Sequence, residues 1–348
     1  MSLKEPSRFV TRQVRIDHYS AVHLAATLAR ETAANCGLPG SLPDQAAAMA
    51  SELASNLDKH ASDGIVFLHA LPLGRGMEIL AADRGPGMAD LKRCLADGYS
   101  TTNTLGSGLG AARRVATDFT VRTRVPDGTI VSARLAFPRG RSSGTREEEG
   151  RAPEATGTGT GAVCVPADGE QECGDGCAIV DSGTGRTALV VDGLGHGELA
   201  ARAARAALKM FHASSHQPLP DIMNALHQAL RHTRGAAVGL VRLEAGRAQY
   251  CGVGNIRLCV LSIHESHRRL DGRPGVVGWN MPTPQLRTMP LHPGQVCVLY
   301  SDGIEARWTH DPSPFLLRLP AELLPAALVH RHRRTRDDST ALSLTGLS

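Results

Sequence analysis

The chain has 348 residues, too many for one ordinary domain and suited to two of about 130–190 residues each. Hydrophobic residues make up 42% and charged residues 21%, a globular balance that excludes disorder for most of the chain. Aromatics are only 3%, which leaves Ala, Val and Leu to build the cores and argues against base-stacking surfaces, and the net charge of +4 gathers in short runs such as Arg331-His332-Arg333-Arg334, read as a solvated helix end rather than a nucleic-acid patch.

In chain order, the alternating run Phe9–Ile16 predicts a strand. Apolar positions Ala21, Leu24, Ala25, Leu28 and Ala29 then predict a helix ending near Gly37-Leu38-Pro39, and Pro43-Asp44 opens a second helix through Ala50, Leu53 and Leu57. Strand-like runs follow at 64–70, 76–82, 119–125 and 129–137, the last two joined by an Asp127-Gly128 turn. Helices followed by clustered strands imply a two-layer α+β arrangement. Residues 139–161, RGRSSGTREEEGRAPEATGTGTG, are almost free of apolar side chains and read as a flexible linker between domains at 8–138 and 162–346. The second half alternates strands at 177–181, 187–192, 237–243, 247–251, 256–262, 296–300 and 339–344 with two evident helices, 198–213 and 219–233. The proline-rich stretch within 265–290 carries no assignable chemistry.

Eight scattered cysteines form no CxxC pair, so neither structural zinc nor a disulfide framework is expected. No apolar run is long enough for a membrane span, and the N-terminus lacks an apolar leader core, so the expectation is a soluble cytoplasmic protein.

Three patterns in the first half converge on a nucleotide. On a helix, Glu52, Asn56 and Lys59 or His60 share one face, although a polar stripe alone is usually only a solvated face. Asp83-Arg84-Gly85-Pro86-Gly87 follows an apolar strand, where a carboxylate can accept from an exocyclic amine and glycines permit close backbone approach. Gly106-Ser107-Gly108-Leu109-Gly110 opens a helix whose free N–H groups suit phosphates. A dinucleotide fingerprint fails because a polar loop, not a strand, precedes these glycines, and no GxxxxGK[ST] exists.

In this order the three patterns resemble the N, G1 and G2 boxes of the GHKL (Bergerat) ATP-binding fold, a two-layer α/β sandwich. DRGPGMADLKRCLADGYSTTNTLGSGLGAARRVATDF is especially similar to the RsbT-type anti-sigma and switch kinases, while Lys59-His60 resembles the sigma-antagonist kinases. The resemblance implies ATP with Mg2+, with Asn56 on the ion, Asp83 on adenine, and Gly85, Gly87, Gly106, Gly108 and Gly110 shaping pocket and lid. Glu52 would be the general base for a Ser or Thr hydroxyl of a protein substrate, and catalysis would rest on positioning and charge neutralisation.

In the second half, aspartates abut short apolar strands at Asp175, Asp192, Asp302 and Asp337-Asp338. A single Asp-Gly at a strand end is usually a turn; four carboxylates so placed suit hard divalent cations. DGLGHG, GVGNI, PLHPGQVCVLYSDGIEA and RDDSTAL resemble the SpoIIE and RsbX group of PPM-type serine/threonine phosphatases, which implies an αββα sandwich. Carried across, Asp192 would bridge two Mn2+ or Mg2+ ions, with Asp175 and the Gly193 carbonyl on one and Asp302 and Asp337 on the other. Activated water would then attack a phosphoserine or phosphothreonine in line. His196 is open between leaving-group protonation and a structural role at a helix start, and Asp338 supports the ligands.

Together the resemblances imply a bifunctional regulator of bacterial partner switching. It would act on a STAS-domain (anti-sigma-antagonist-like) protein, with a sigma factor or other switch partner downstream and neither nucleic acid nor membrane as partner. Two alternatives remain open: an ATP-sensing docking module that regulates the phosphatase without transferring phosphate, and an active kinase beside a degraded phosphatase scaffold.

Overall fold

The computed structural model describes residues 9–73, 75–95, 108–137 and 159–346. The chain divides into two compact units, Gln13–Thr158, and Gly159–Ser348 together with Met1–Arg12.

The first unit begins with β1 (Arg12–Ile16), α1 (Tyr19–Asn35) and α2 (Leu42–His60). It continues with β2 (Gly64–Ala70), β3 (Gly76–Ala82), the short α3 (Leu91–Cys94) and α4 (Leu109–Val115), β4 (Asp118–Arg124) and β5 (Gly128–Ala136). Its sheet runs β1-β2-β3-β5-β4. Alternation along β3 turns Met77, Ile79 and Ala81 to the helices, where they join Val22, Ala25 and Ala29 of α1 and Met49, Leu53 and Leu57 of α2 in one core. Alanines at these helix positions let α1, α2 and the sheet approach closely without large side chains. The result is a two-layer α/β sandwich. Asp127-Gly128 forms the expected turn between β4 and β5, with Gly128 at φ +100°.

The second unit comprises β6 (Thr160–Val165), β7 (Asp175–Asp181), β8 (Gly185–Gly193), α5 (Glu198–Ser214), α6 (Leu219–Leu230), β9 (Ala236–Glu244), β10 (Arg247–Val253) and β11 (Arg257–Leu261). Then come β12 (Arg268–Asp271), β13 (Arg287–Pro290), β14 (Val296–Tyr300), α7 (Pro314–Leu317), α8 (Leu324–His332) and β15 (Ser339–Thr345). Two five-stranded sheets result, ordered β13-β10-β9-β8-β7 and β12-β11-β14-β15-β6. Phe211 of α5 and Leu226 of α6 pack with Leu189, Val191, Val238 and Leu240 of the first sheet. Helix α8 lies on β15 and β6 of the second, and β7 meets β6 and β15 where the sheets face each other. This is an αββα layering.

Three expectations need correction. Among the described residues the second unit has four α-helices rather than the two evident in the sequence: α8 was hidden because Leu324–Val329 is buried all round and shows no amphipathic period, and α7 is a single turn. Thr160 and Gly161, assigned to the linker, belong to β6 and pair with Leu344 and Ser343. The run Arg331–Arg334 is not merely solvated, since Arg331 lies 5.0 Å over the Phe315 ring and Arg333 pairs with Asp168 at 3.0 Å. Linker residues 139–158 lie outside the described residues. Among the described residues no helix is long and apolar enough to cross a membrane.

Candidate active sites

In the first unit the α2 stripe borders a cavity of about 660 Å3 whose lining includes Glu52, Asn56, Lys59, His60 and Asp83. That volume lies in the usual range for small-ligand sites, about 300–1,000 Å3. The Asn56 carboxamide nitrogen is buried without a hydrogen-bond partner, a polar atom open to a ligand. Asp83 follows β3 and is 8% exposed. Its Oδ1 accepts from Gly85 N at 2.7 Å and Thr129 N at 3.2 Å, which fixes the carboxylate against the β5 strand.

Two glycines make this arrangement possible. At Gly128 a Cβ would meet the Asp83 carbonyl oxygen at 2.3 Å, and at Gly87 (φ +75°) it would meet Arg124 O at 2.6 Å. Gly87 and Gly108 line the cavity; Gly85 supports Asp83 without lining it, and Gly110 is buried inside α4 away from it. Gly106 lies outside the described residues. Sequence reading missed Thr129 and Tyr19, both of which border the cavity. Thr129 carries no motif signal because its main chain does the work.

In the second unit, antiparallel pairing of β7 and β8 sets Asp175 directly opposite Asp192. Asp175 is 1% exposed and accepts from Ser301 Oγ at 2.7 Å. Burial and then the facing Asp192 push its carboxyl well above the carboxylate range. The Asp192 carboxyl is raised to about 7 by burial and then by Asp302, with Asp337 and Asp338 adding to it, against a 3.2 Å hydrogen bond from Asn255 Nδ2. Burial and then Asp302 also raise Asp337. Gly193 sits beside this centre with its N–H on Gly174 O at 3.1 Å.

The loops bearing Asp302 and Asp337 are locked together by their neighbours. Ser301 N donates to Thr340 O, Thr340 N donates to Ser301 Oγ, and Ser339 Oγ donates to Gly303 O, each at 3.0 Å. A Cβ on Gly303 would overlap the Asp338 carbonyl, so only glycine allows this approach. Asp338 accepts from Ala167 N at 2.8 Å and Gly174 N at 2.6 Å and thereby ties the β6 and β7 ends to the Asp337 loop.

The strands thus bring these carboxylates close enough to repel: Asp192 raises Asp175, and Asp302 raises both Asp192 and Asp337. Among the described residues no three His, Cys, Asp or Glu side chains close around a single point as ligands of one metal ion. The donor set nonetheless fits hard cations: it is all oxygen, and the Asn255 carboxamide oxygen beside Asp192 is buried without a partner. His196 stands apart, 73% exposed, its Nδ1 3.0 Å from Glu170 Oε1 on the surface at the start of α5. Asn255 and Ser301 were overlooked as site residues although they sit inside the GVGNI and YSDG strings.

Residues 183–345 match the family model for Stage II sporulation protein E (SpoIIE). An 85-residue stretch, 24% of this chain, is 33% identical to the Serine/threonine-protein kinase RsbT of Bacillus subtilis (strain 168) and covers 64% of it. Another of 97 residues, 27% of this chain, is 28% identical to the Phosphoserine phosphatase RsbX of the same organism and covers 49% of it. The chain therefore spans less than two thirds of the length of either relative. A solved structure from work on the bacterial stressosome is 31% identical with a TM-score of 0.49, covering 53% of this chain and 97% of that one. Residues 183–345 are a SpoIIE-family domain, carried in one chain with homology to RsbT-type kinases and RsbX-type phosphatases.

Proposed function

We propose that this chain sets the phosphorylation state of a Ser- or Thr-bearing STAS-domain protein in both directions, as a regulator of a partner-switching pathway. The observation that carries the reading is the acidic centre of the second unit. Four aspartates at or next to the ends of separate strands lie near enough to repel one another, two of them directly opposed across a strand pair. Such repulsion is costly in a folded protein and is relieved by bound divalent cations.

Asp175, Asp192, Asp302, Asp337 and the Gly193 carbonyl would hold two Mn2+ or Mg2+ ions. Cations there would neutralise phosphoryl oxygens and make water nucleophilic near neutral pH. The chain's own part is orientation: Asn255 steers Asp192, Ser301 holds Asp175, and Asp338 fixes the loops between them.

In the first unit Asp83, already fixed by two main-chain N–H groups, would accept from the exocyclic amine of adenine. Asn56 would serve the Mg2+ of ATP, and Glu52, one turn earlier on the same cavity wall, would take the proton of the substrate hydroxyl. Homology to a protein named as a kinase and to another named as a phosphatase supports joining the two activities.

The test uses a purified STAS-domain protein. The full chain with γ-labelled ATP and Mg2+ should label it, and Mn2+ after removal of ATP should release the label. Label that is never transferred, or release that persists unchanged in Asp192→Asn, sinks the corresponding half of the proposal.

A further inference from the structure

The loop joining β12 to β13, residues 272–286, is long for a compact domain, and loops of about 15 residues are commonly functional. It is also firmly held. Val277 exchanges two main-chain hydrogen bonds with Ala236, at 3.0 and 2.9 Å. Gly278 N donates to His227 Nδ1 at 3.0 Å, and Val276 N donates to Asn280 Oδ1 at 3.0 Å. Gly278, at φ +99°, packs so tightly on α6 that a Cβ would meet Leu230 O at 2.8 Å.

This anchored loop holds Trp279 out into solvent, 75% exposed. The chain has two tryptophans, and the other, Trp308, is 2% exposed and packs edge-on against Tyr300. An exposed indole on an anchored main chain, in a chain so poor in aromatics, is a ready-made contact residue, because its area is available with little backbone ordering cost.

Its position ties it to the acidic centre. Gly193, next to Asp192, pairs with Ala236 on β9, and Ala236 pairs with Val277, two residues before Trp279. Two such strand spacings put the loop roughly 10 Å from the Asp192 loop. Leu194 is 39% exposed, its N–H bonded to Gly235 O, and a Cβ on Gly235 would touch Val276. Arg234 reaches back over the Asp192 loop, since a side chain at Gly195 would meet its guanidinium at 2.9 Å. Among the described residues neither Arg231 nor Arg234 has an acidic partner.

We propose that Trp279 and Leu194, flanked by Arg231 and Arg234, form the docking face for a folded phosphoprotein substrate. The partner presents an apolar side chain to the indole and acidic or phosphorylated groups to the arginines. This rests on the phosphatase reading above and gives that site its selectivity for protein over small phosphate esters.

The test compares Mn2+-dependent phosphate release from a phosphorylated STAS-domain protein and from p-nitrophenyl phosphate. Trp279→Ala should raise KM for the phosphoprotein about tenfold or more with kcat within about twofold, leave hydrolysis of the small ester unchanged, and be largely rescued by Trp279→Tyr. An unchanged KM for the phosphoprotein, or equal losses on both substrates, overturns the docking face while leaving the phosphatase reading intact. A changed oligomeric state in Trp279→Ala also overturns it, assigning the face to a second copy of this chain. Absence of release from the phosphoprotein by the wild-type chain overturns the functional reading and the docking face together.

Discussion

Asp175 and Asp192 stand directly opposite each other on β7 and β8, Asp175 fully buried, and among the described residues no basic side chain is hydrogen-bonded to Asp192. Two ionised carboxylates in such a pair would destabilise the sheet. Without a bound cation the pair must therefore take up a proton, as the raised Asp175 and Asp192 carboxyls show, at a cost to folding near neutral pH. The second unit should therefore respond to divalent cations as a matter of stability. Mn2+ at about 100 times its dissociation constant should raise the thermal midpoint of that unit by on the order of 5–10 °C. Differential scanning calorimetry of the nucleotide-free chain checks this. Asp192→Asn should raise the midpoint of the metal-free protein and abolish the response to Mn2+.

Asp338 predicts a different phenotype from its neighbour Asp337. Its carboxylate caps two main-chain N–H groups, at Ala167 and Gly174. Asp338→Ala should destabilise the second unit by about 2–4 kcal/mol, because two buried donors lose their acceptor. It should also weaken Mn2+ binding by about 10–100-fold, since it positions the Asp175 and Asp337 loops. Urea denaturation with and without Mn2+ separates the two effects.

The first unit contains a buried ionic row that runs across four strands. His69 opposes Glu78, Glu78 opposes Arg134, and Arg134 opposes Asp118. Burial alone would raise the Glu78 carboxyl, but hydrogen bonds from His69 and Ser132 and the Arg134 and His69 charges hold it at about 2. Its folded value lies below its unfolded value, so its contribution is fully present above about pH 4.5 and is lost as pH falls toward about 2. Glu78→Gln should remove that acid dependence and cost about 3–5 kcal/mol at pH 7, where the buried Arg134 loses the carboxylate it meets at 2.8 Å. Denaturation curves of the two proteins between pH 2 and pH 7 provide the check.

Gly128 tests the nucleotide cavity without touching its chemistry. Gly128→Ala would drive a methyl group into Asp83 O, whereas Gly40→Ala, equally left-handed at φ +61° but with open space around it, serves as the control. Binding of a fluorescent ATP analogue should weaken about tenfold or more in the first and stay near wild type in the second. Similar behaviour of the two variants would separate Asp83 from nucleotide recognition.

Glu52 decides between phosphate transfer and nucleotide sensing. Glu52→Ala should reduce transfer to a STAS-domain protein by at least about a hundredfold while nucleotide affinity changes little. Retained transfer in this variant would remove Glu52 as the base.

Much of the architecture was readable because period and punctuation agree. The β3 pattern Met77, Ile79, Ala81 and the Asp127-Gly128 turn mark themselves, as does the long amphipathic α5. Helix α8 and the edge strands β12 and β13 did not. The first is buried on every side, and Arg268–Asp271 and Arg287–Pro290 are four-residue polar strands whose pairing is set by main-chain register alone. The site shows the same division. Carboxylates such as Asp192 and Asp302 announce their chemistry at strand ends, but Thr129 N and the two N–H groups under Asp338 belong to positions any residue type could fill. Trp279 was invisible as a functional residue because the loop bearing it has no periodicity; only its anchoring and exposure single it out.

The most direct measurement on the acidic centre is a Mn2+ titration of the nucleotide-free chain followed by electron paramagnetic resonance. Wild-type protein should take up two spin-coupled ions that compete with Mg2+, and Asp192→Asn should lose the coupled signal. Uptake that is absent at millimolar Mn2+, or identical in Asp192→Asn, would contradict a cation centre built on Asp175, Asp192, Asp302 and Asp337.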